Sequence, residues 1–473
     1  MEESHSPDLR QSLVLRRLEQ FVTDVRSRAV GELGSFADFE LAVRSLLMEL
    51  GRELLAAELG RYDLRAPEIV VEGVEYRRAL RSSQTYMSAL GRVSLERQLY
   101  CPRGGNGRAI CPLEERIGMV GGFWTPRAAY EAARLVAEVT PGEAEGLLRE
   151  ISGMSPSKTS LDRLPKTLSV VWEGKREEFE VVLRESEAVP KEAVTLSVSL
   201  DGVLAPMRDG DRAAKRSQAE RQPKGPAGYR EVGCATVSFY DAEGERLSTL
   251  RWARMPEAKK VTLCGQIEAE VSSILQSRPD LRVIKLADGA ASNWEFLDGL
   301  TLPGTKVWSL VDFFHVCEHL KRALDSAHGE GSVESGAAFE KYRLILKHSN
   351  RGVERVIRML AHLRRRHRGR GVIAREITYF RNQRHRMAYA RCLRKHLPIG
   401  SGVVEAACKT LVAQRMKRSG MRWLQSGGQA ILTLRSLIQS DRWERGWAML
   451  AESFRTTVYV TEKRGHLTVL KAA

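Results

Sequence analysis

Twice within Val283–His319 an apolar run ends on an aspartate and gives way to helical spacing. This repetition constrains the chain more than any other feature. Val283 to Ala287 stops at Asp288, with Gly289 next, and Val307 to Val311 stops at Asp312. Apolar runs of this length suit buried strands. Ser292 and Glu295 have capping-box spacing, which predicts a helix start there. Strand, acidic tip and helix, repeated, is how an α/β sheet offers a site at the carboxyl ends of its strands. Asp288 is therefore expected at the centre of the chemistry.

Upstream, Val194 to Leu200 alternates apolar and polar residues, which puts Asp201 on the polar side at the strand's end, before Gly202. A basic loop, Arg208 to Tyr229, leads to strands near Val232–Tyr240 and Leu247–Met255. A helix over Thr262–Leu275, with Leu263, Ile267, Val271 and Ile274 inward, feeds the strand that ends at Asp288. Three strands, a helix, a strand, a helix and a strand match the order of a ribonuclease-H-like core.

Downstream the sheet is interrupted, and Phe339 to Leu397 reads as helices only. Between Arg351 and Lys395 stand 15 Lys/Arg against two acids, Glu354 and Glu376. A run so one-signed fits contact with a polyanion. Tyr379, Phe380 and Tyr389 lie among these cations, placed either to stack on unpaired bases or to form the helices' own core. Ser401 is then expected to cap a helix with a stripe of Val404, Ala407, Cys408, Leu411 and Val412, ended by Gly420. Glu405 lies in its first turn, off the stripe.

The N-terminal part reads differently. Leu13–Arg28 and Phe36–Leu59 have helical spacing, and Ile69–Tyr100 is strand-like. Cys101-Pro-Arg-Gly and Cys111 resemble half of a zinc knuckle but offer two thiols and no histidine. Structural zinc uses four ligands, so zinc is not expected. Thr125–Leu168 is helical again, with starts at Thr140-Pro141 and Ser155-Pro156 around Gly153, the spacing of a DNA-reading helix-turn-helix. Lys175–Arg184 continues as a charged helix.

Charge points the same way. Seventy-five Lys+Arg against 59 Asp+Glu give +16, which calls for a polyanionic partner, nucleic acid before anionic membrane. No apolar run reaches the length of a membrane span, no secretory signal opens the chain, and seven scattered cysteines suggest no disulfide framework. A cytoplasmic location follows as the expectation.

Against this basic background Asp201, Asp288 and Glu405 stand at element ends, beside Gly202, Gly289 and near Gly402. Two aspartates and a glutamate converging there would hold two divalent ions across a phosphodiester. The motifs SLDGVLAPM (Ser199–Met207), IKLADGAASNWEFL (Ile284–Leu297), VDFFHVCEHL (Val311–Leu320) and GSGVVEAACKTLVAQRMKRSGMRW (Gly400–Trp423) resemble those of the DDE transposases of bacterial insertion sequences, ISKra-type group, distantly related to Mutator-like elements. The resemblance covers roughly Leu90 to Trp447. It implies a ribonuclease-H-like catalytic domain interrupted by an all-α insertion, with Asp201, Asp288 and Glu405 as the catalytic triad and Mg²⁺ or Mn²⁺ as the ions. Asp312 and His315 match an Asp/Cys-x-x-His signature near the active site. Relatives carry a fuller Cys-x-x-Cys ribbon than Cys101-Pro-Arg-Gly.

The implied partners are the insertion sequence's terminal inverted repeats and target DNA, handled by a homo-oligomer in a bacterial cytoplasm, on the nucleoid when DNA is bound. Arg364, Arg365 and Arg366 are expected to hold DNA from the insertion. Lys409, Arg415, Lys417, Arg418 and Arg422 would extend a positive strip from Glu405. The expected boundaries are a helical region over 1–65, a small ribbon-like region over 66–122 and helices over 123–190. The catalytic domain would span 191–325 and 398–450, around a basic insertion over 326–397, with 451–473 as a C-terminal tail. Two other readings compete. One is a DNA-binding descendant without catalysis. The other is a zinc peptidase, because His315, Glu318 and His319 satisfy H-x-x-E-H. No third ligand follows, however, and a peptidase leaves the arginine-rich insertion unexplained.

Overall fold

The computed structural model describes residues 13–27, 35–105, 107–208, 228–300, 302, 304–367, 370–464 and 467–472. The chain is mixed α/β and divides into two units, Met1–Phe179 with Glu444–Ala473, and Glu180–Trp443. Among the described residues no helix is long and apolar enough to cross a membrane. The basic loop expected over Arg208–Tyr229 lies almost wholly outside the described residues, which break at 209–227.

In the first unit, helices Leu13–Ser27 and Phe36–Arg61 precede strands β1 (Glu68–Val71), β2 (Val74–Ser88) and β3 (Gly91–Pro102). Cys101 is exposed and Cys111 is buried beside Tyr86 and Leu113. Helix Pro141–Ile151 starts as expected, with a capping box between Thr140 and Glu143. The next helix, Lys158–Gly174, is capped by Ser157 rather than starting at Ser155-Pro156. The residues expected as a tail form two strands instead, β9 (Val458–Arg464) and β10 (Leu467–Ala472). They complete an antiparallel sheet of order β10-β9-β1-β2-β3, with β9 paired to β1.

The second unit holds the other sheet. Its strands are β4 (Thr195–Pro206), β5 (Tyr229–Tyr240), β6 (Arg246–Arg254), β7 (Arg282–Ala287) and β8 (Val307–Val311), in the order β6-β5-β4-β7-β8. β4–β5 and β5–β6 are antiparallel, whereas β4–β7 and β7–β8 are parallel. The alternation along β4 does not separate core from solvent, because Thr195, Ser197 and Ser199 are as buried as Leu196 and Val198. Helix Gln425–Gln439 protects the edge of β6, where Ser440 and Ser436 hydroxyls accept from the Arg251 and Ala253 amides. Just beyond it, Arg442 is buried between Glu187 and Glu270, with nitrogen–oxygen distances of 2.8 and 2.6 Å.

Between β8 and Ser401 the described residues form helices and no strand, as the pattern over Phe339–Leu397 suggested: Val333–His348, Gly352–Arg366, Arg370–Gln383 and Tyr389–Leu393 among them. Phe380 and Tyr389 are fully buried in the same core as the sheet, and the Tyr389 hydroxyl donates to Val311 O at 2.9 Å. Their aromatic faces belong to the helices' core and are not offered to bases.

Candidate active site

β4 runs past Asp201 to Pro206, so Asp201 is not at that strand's end. It lies where the parallel ladder stops, because the last pair of β4 with β7 is Leu200↔Ala287. Asp201 and Asp288 are the residues that follow this pair on two adjacent parallel strands. Beyond it β4 pairs with β5 alone, placing Asp201 opposite Cys234. The Asp201 carboxylate accepts from the Gly202 amide at 2.7 Å and from the Cys408 thiol at 3.6 Å. Burial raises its pKa above the ordinary carboxylate value, and repulsion from Asp288 and Glu405 adds to the rise, opposed by those two donors. Both other acids therefore act on Asp201.

Asp288 is held by its own turn. Its Oδ1 accepts from the Ala290 amide and the Asn293 side chain, each at 3.1 Å, and the Trp294 ring nitrogen donates to its carbonyl at 2.6 Å. The expected capping box between Ser292 and Glu295 does not form. Helix Ala291–Gly299 begins at Ala290 with no side-chain cap, since Asp288 already engages the first amide.

Glu405 comes from the far side of the insertion. Ser401 precedes helix Gly402–Ala407 but does not cap its amides; its hydroxyl donates to Glu405 Oε1 at 2.8 Å. The helix continues through a π-helical stretch, Cys408–Ala413. Such single wide turns accompany functional sites more often than regular helix does.

Asp312 is buried at the end of β8 and links two elements. One oxygen caps helix Phe313–His328 by accepting from the His315 amide at 2.6 Å, and the other accepts from the Ser401 amide. The Phe313 amide also donates to Ile399 O at 2.9 Å. The aspartate thus ties the end of β8 to the turn that launches Glu405. His315 is half-exposed, 3.7 Å from Glu318, with its ring edge against His319. His319 turns Nδ1 to Glu376 at 2.6 Å, and Arg322 approaches the same carboxylate at 3.2 Å. Among the described residues no three His, Cys, Asp or Glu side chains are drawn together tightly enough to hold a metal ion, whether around His315 or around Asp201. Each carboxylate is instead engaged locally, Asp201 by Gly202 and Cys408, Asp288 by Ala290 and Asn293, and Glu405 by Ser401. The donor set is still one that suits hard divalent cations, oxygen-only and jointly repulsive.

One group gave no signal in the sequence. Lys259 and Lys260 both have left-handed backbone, with φ of 54° and 52°. For residues other than glycine this costs roughly 1–2 kcal/mol each. Lys260 Nζ meets Glu231 at 2.7 Å and Asn293 Oδ1 at 3.0 Å, and Asn293 in turn donates to Asp288. A strained lysine therefore stands one side chain away from the central aspartate. Nothing in Lys-Lys announces φ above zero.

The basic residues divide. Arg364, Arg365 and Arg366 are exposed in the last turn of helix Gly352–Arg366, while Val353, Val356 and Leu360 face the core. Lys409, Lys417 and Arg422 lie at least partly open to solvent, and half-buried Arg418 donates to Gln414 O at 3.2 Å. Arg415 does not belong to this strip. It is 2% exposed, with its guanidinium 5.3 Å from the Trp423 ring. The buried pairs Ala407–Cys408 and Leu411–Val412 continue into Arg415–Met416, so the helix turns that arginine inward. Arg386, in the insertion, is also committed: it pairs with Asp298 and lies 4.1 Å over the Trp294 ring. Compared with known proteins, the chain matches no family model and no curated protein.

Proposed function

We propose that the chain is a DDE transposase of a bacterial insertion sequence, ISKra-type, which binds the element's ends and carries out metal-dependent strand cleavage and strand transfer. The observation that carries this reading is that Asp201 and Asp288 follow the last pair of one parallel ladder, and that Asp201 feels Glu405 from across the basic insertion. The sheet order β6-β5-β4-β7-β8, three antiparallel strands followed by two parallel ones, supports a ribonuclease-H-like core.

Asp201, Asp288 and Glu405 would hold the ions, and bound Mg²⁺ or Mn²⁺ would supply activation of the attacking hydroxyl and stabilisation of the leaving oxygen. The chain's own part is positioning. Asp201 and Asp288 each follow the last β4–β7 pair, and Asp312 holds the turn before Glu405. The exposed arginines of the insertion, with Lys409, Lys417 and Arg422, hold the DNA backbone. Such a protein works in the bacterial cytoplasm as a homo-oligomer that brings two ends together.

Labelled duplexes carrying the inverted repeats that flank the coding region test the reading. Asp201→Asn, Asp288→Asn and Glu405→Gln should each lose Mg²⁺- or Mn²⁺-dependent nicking by at least about 100-fold, as expected when charged oxygen ligands are removed, while still binding the ends. Asp298 and Asp325 make poor controls, because one pairs with Arg386 and the other with Lys321 and Ser335. Glu330, exposed on the same unit, is the better one, and Glu330→Gln should nick normally. A triad variant that nicks at the wild-type rate would remove that acid from the site. Binding without nicking by the wild type would favour the non-catalytic descendant.

A further inference from the structure

Tyr379 comes from the helical insertion yet sits beside the central aspartate. Its ring lies flat on His319, with centroids 3.6 Å apart and planes at 11°. The other side of the phenol closes on the turn after Asp288. A side-chain carbon on Gly289 would fall 2.7 Å from the ring and 2.9 Å from the hydroxyl, so that glycine is what admits the tyrosine. Next along the helix, fully buried Phe380 anchors the backbone. His319 is itself fixed by Glu376, and Glu376 by Arg322 as well. The tyrosine is therefore held by stacking, on a ring whose Nδ1 is fixed by Glu376.

The Tyr379 hydroxyl is buried and has no hydrogen-bond partner among the described residues. The acids around it are engaged elsewhere. Asp312 accepts from the His315 and Ser401 amides, Glu376 from His319 and Arg322, and both bonds to the Asp288 side chain fall on Oδ1. A phenol is protonated at neutral pH, so this hydroxyl has a hydrogen to donate. A buried hydroxyl without a partner destabilises a fold, and phenylalanine would fill the same stack without that penalty. A donor kept in this state beside a reaction centre has its partner in the complex rather than in the free protein.

We propose that the Tyr379 hydroxyl donates a hydrogen bond to a non-bridging oxygen of the phosphodiester bound against Asp288. The helical insertion thus supplies a group to the reaction centre as well as charge to the DNA backbone. This rests on the function proposed above. The bond involves no proton transfer: the phenol keeps its proton and the phosphate its charge.

The test is Tyr379→Phe in the full chain, which keeps the ring and removes the hydroxyl. Metal-free thermal melting should be unchanged or higher than wild type; a clear fall would mean that the hydroxyl has a partner within the fold and would overturn the proposal. With Ca²⁺ in place of Mg²⁺, affinity for end DNA should weaken a few-fold. With Mg²⁺ and saturating end DNA, single-turnover nicking should fall roughly 10- to 100-fold, the loss expected for one hydrogen bond to a charged oxygen. Asp201→Asn, run alongside, separates the two ideas. If it is inactive and Tyr379→Phe nicks and binds like wild type, this proposal fails and the function stands; if Asp201→Asn nicks at the wild-type rate, the function itself fails.

Discussion

Asp201 is held in the fold at a cost that the fold does not relieve. Its raised pKa means that the folded chain prefers the neutral acid, first for lack of water and then because Asp288 and Glu405 repel the charge. For an acid shifted upward, the stabilising contribution is complete below the unfolded pKa, about 3.9, and is lost as pH rises through the folded value. As pH rises through that value, wild type loses a stabilisation that asparagine, which does not ionise, keeps. Asp201→Asn should therefore melt a few degrees above wild type at pH 7, and the difference should shrink as pH falls into the ordinary carboxylate range. Adding Mn²⁺ should raise the wild-type midpoint and leave that of the asparagine variant almost unmoved. A variant that melts lower at pH 7 would show that the hydrogen bonds from Gly202 and Cys408 outweigh the repulsion. Asp288 was legible because it follows a short apolar run, and Glu405 because it lies in a helix's first turn, whereas Asp201 was found by an alternation that does not end its strand. The role of Asp312 was not: a carboxylate after an apolar run looks the same whether it faces a ligand or, as here, two backbone amides.

Helix Gly352–Arg366 shows how one element can serve two ends. Its apolar face, Val353, Val356 and Leu360, secures it to the core, and its last turn presents Arg364, Arg365 and Arg366 to solvent. Cations there also suit the negative end of the helix, worth about 0.3–1 kcal/mol each at most at an exposed site. Salt dependence separates that bland role from DNA binding. Changing all three to alanine should lower the slope of log affinity against log salt by up to about three, near 0.9 for each phosphate that is no longer neutralised. An unchanged slope with slightly lower stability would leave them as helix-end residues only. At this scale the sequence was readable where apolar runs were short and bounded, as in β7 and β8, or strongly periodic, as in the insertion. Arg415 shows where it was not: its place on the stripe was visible, but its charge argued for the surface. Lys259 and Lys260 fall outside sequence reasoning altogether, since nothing about two lysines marks a positive φ.

Over the whole chain, the two ends share one unit. β9 adds to β1 nearly the full length of the chain away, and Val458 is buried in one cluster with Ile69, Val71 and Tyr100. Nothing local in Val458–Ala472 announces such a partner, which is why those residues read as a tail: strand pairing across a long loop is set by the completed sheet rather than by nearby residues. The pairing makes a definite forecast. Removing residues 457–473 strips β1 of its neighbour and exposes the apolar side of Ile69 and Val71. Losing the burial of Val458 alone costs about 1.5–3 kcal/mol. For a unit of this size, that corresponds to a fall in melting temperature of at least about 3 °C. Hydrogen exchange locates the effect. The amides of Glu68–Val71 that face β9 should lose protection first, followed by those of β2, whereas Thr195–Leu200 and Arg282–Ala287 should exchange as in the full chain. Equal loss of protection in β4 and β7 would mean that the C-terminal strands support the whole molecule, and not the sheet they join.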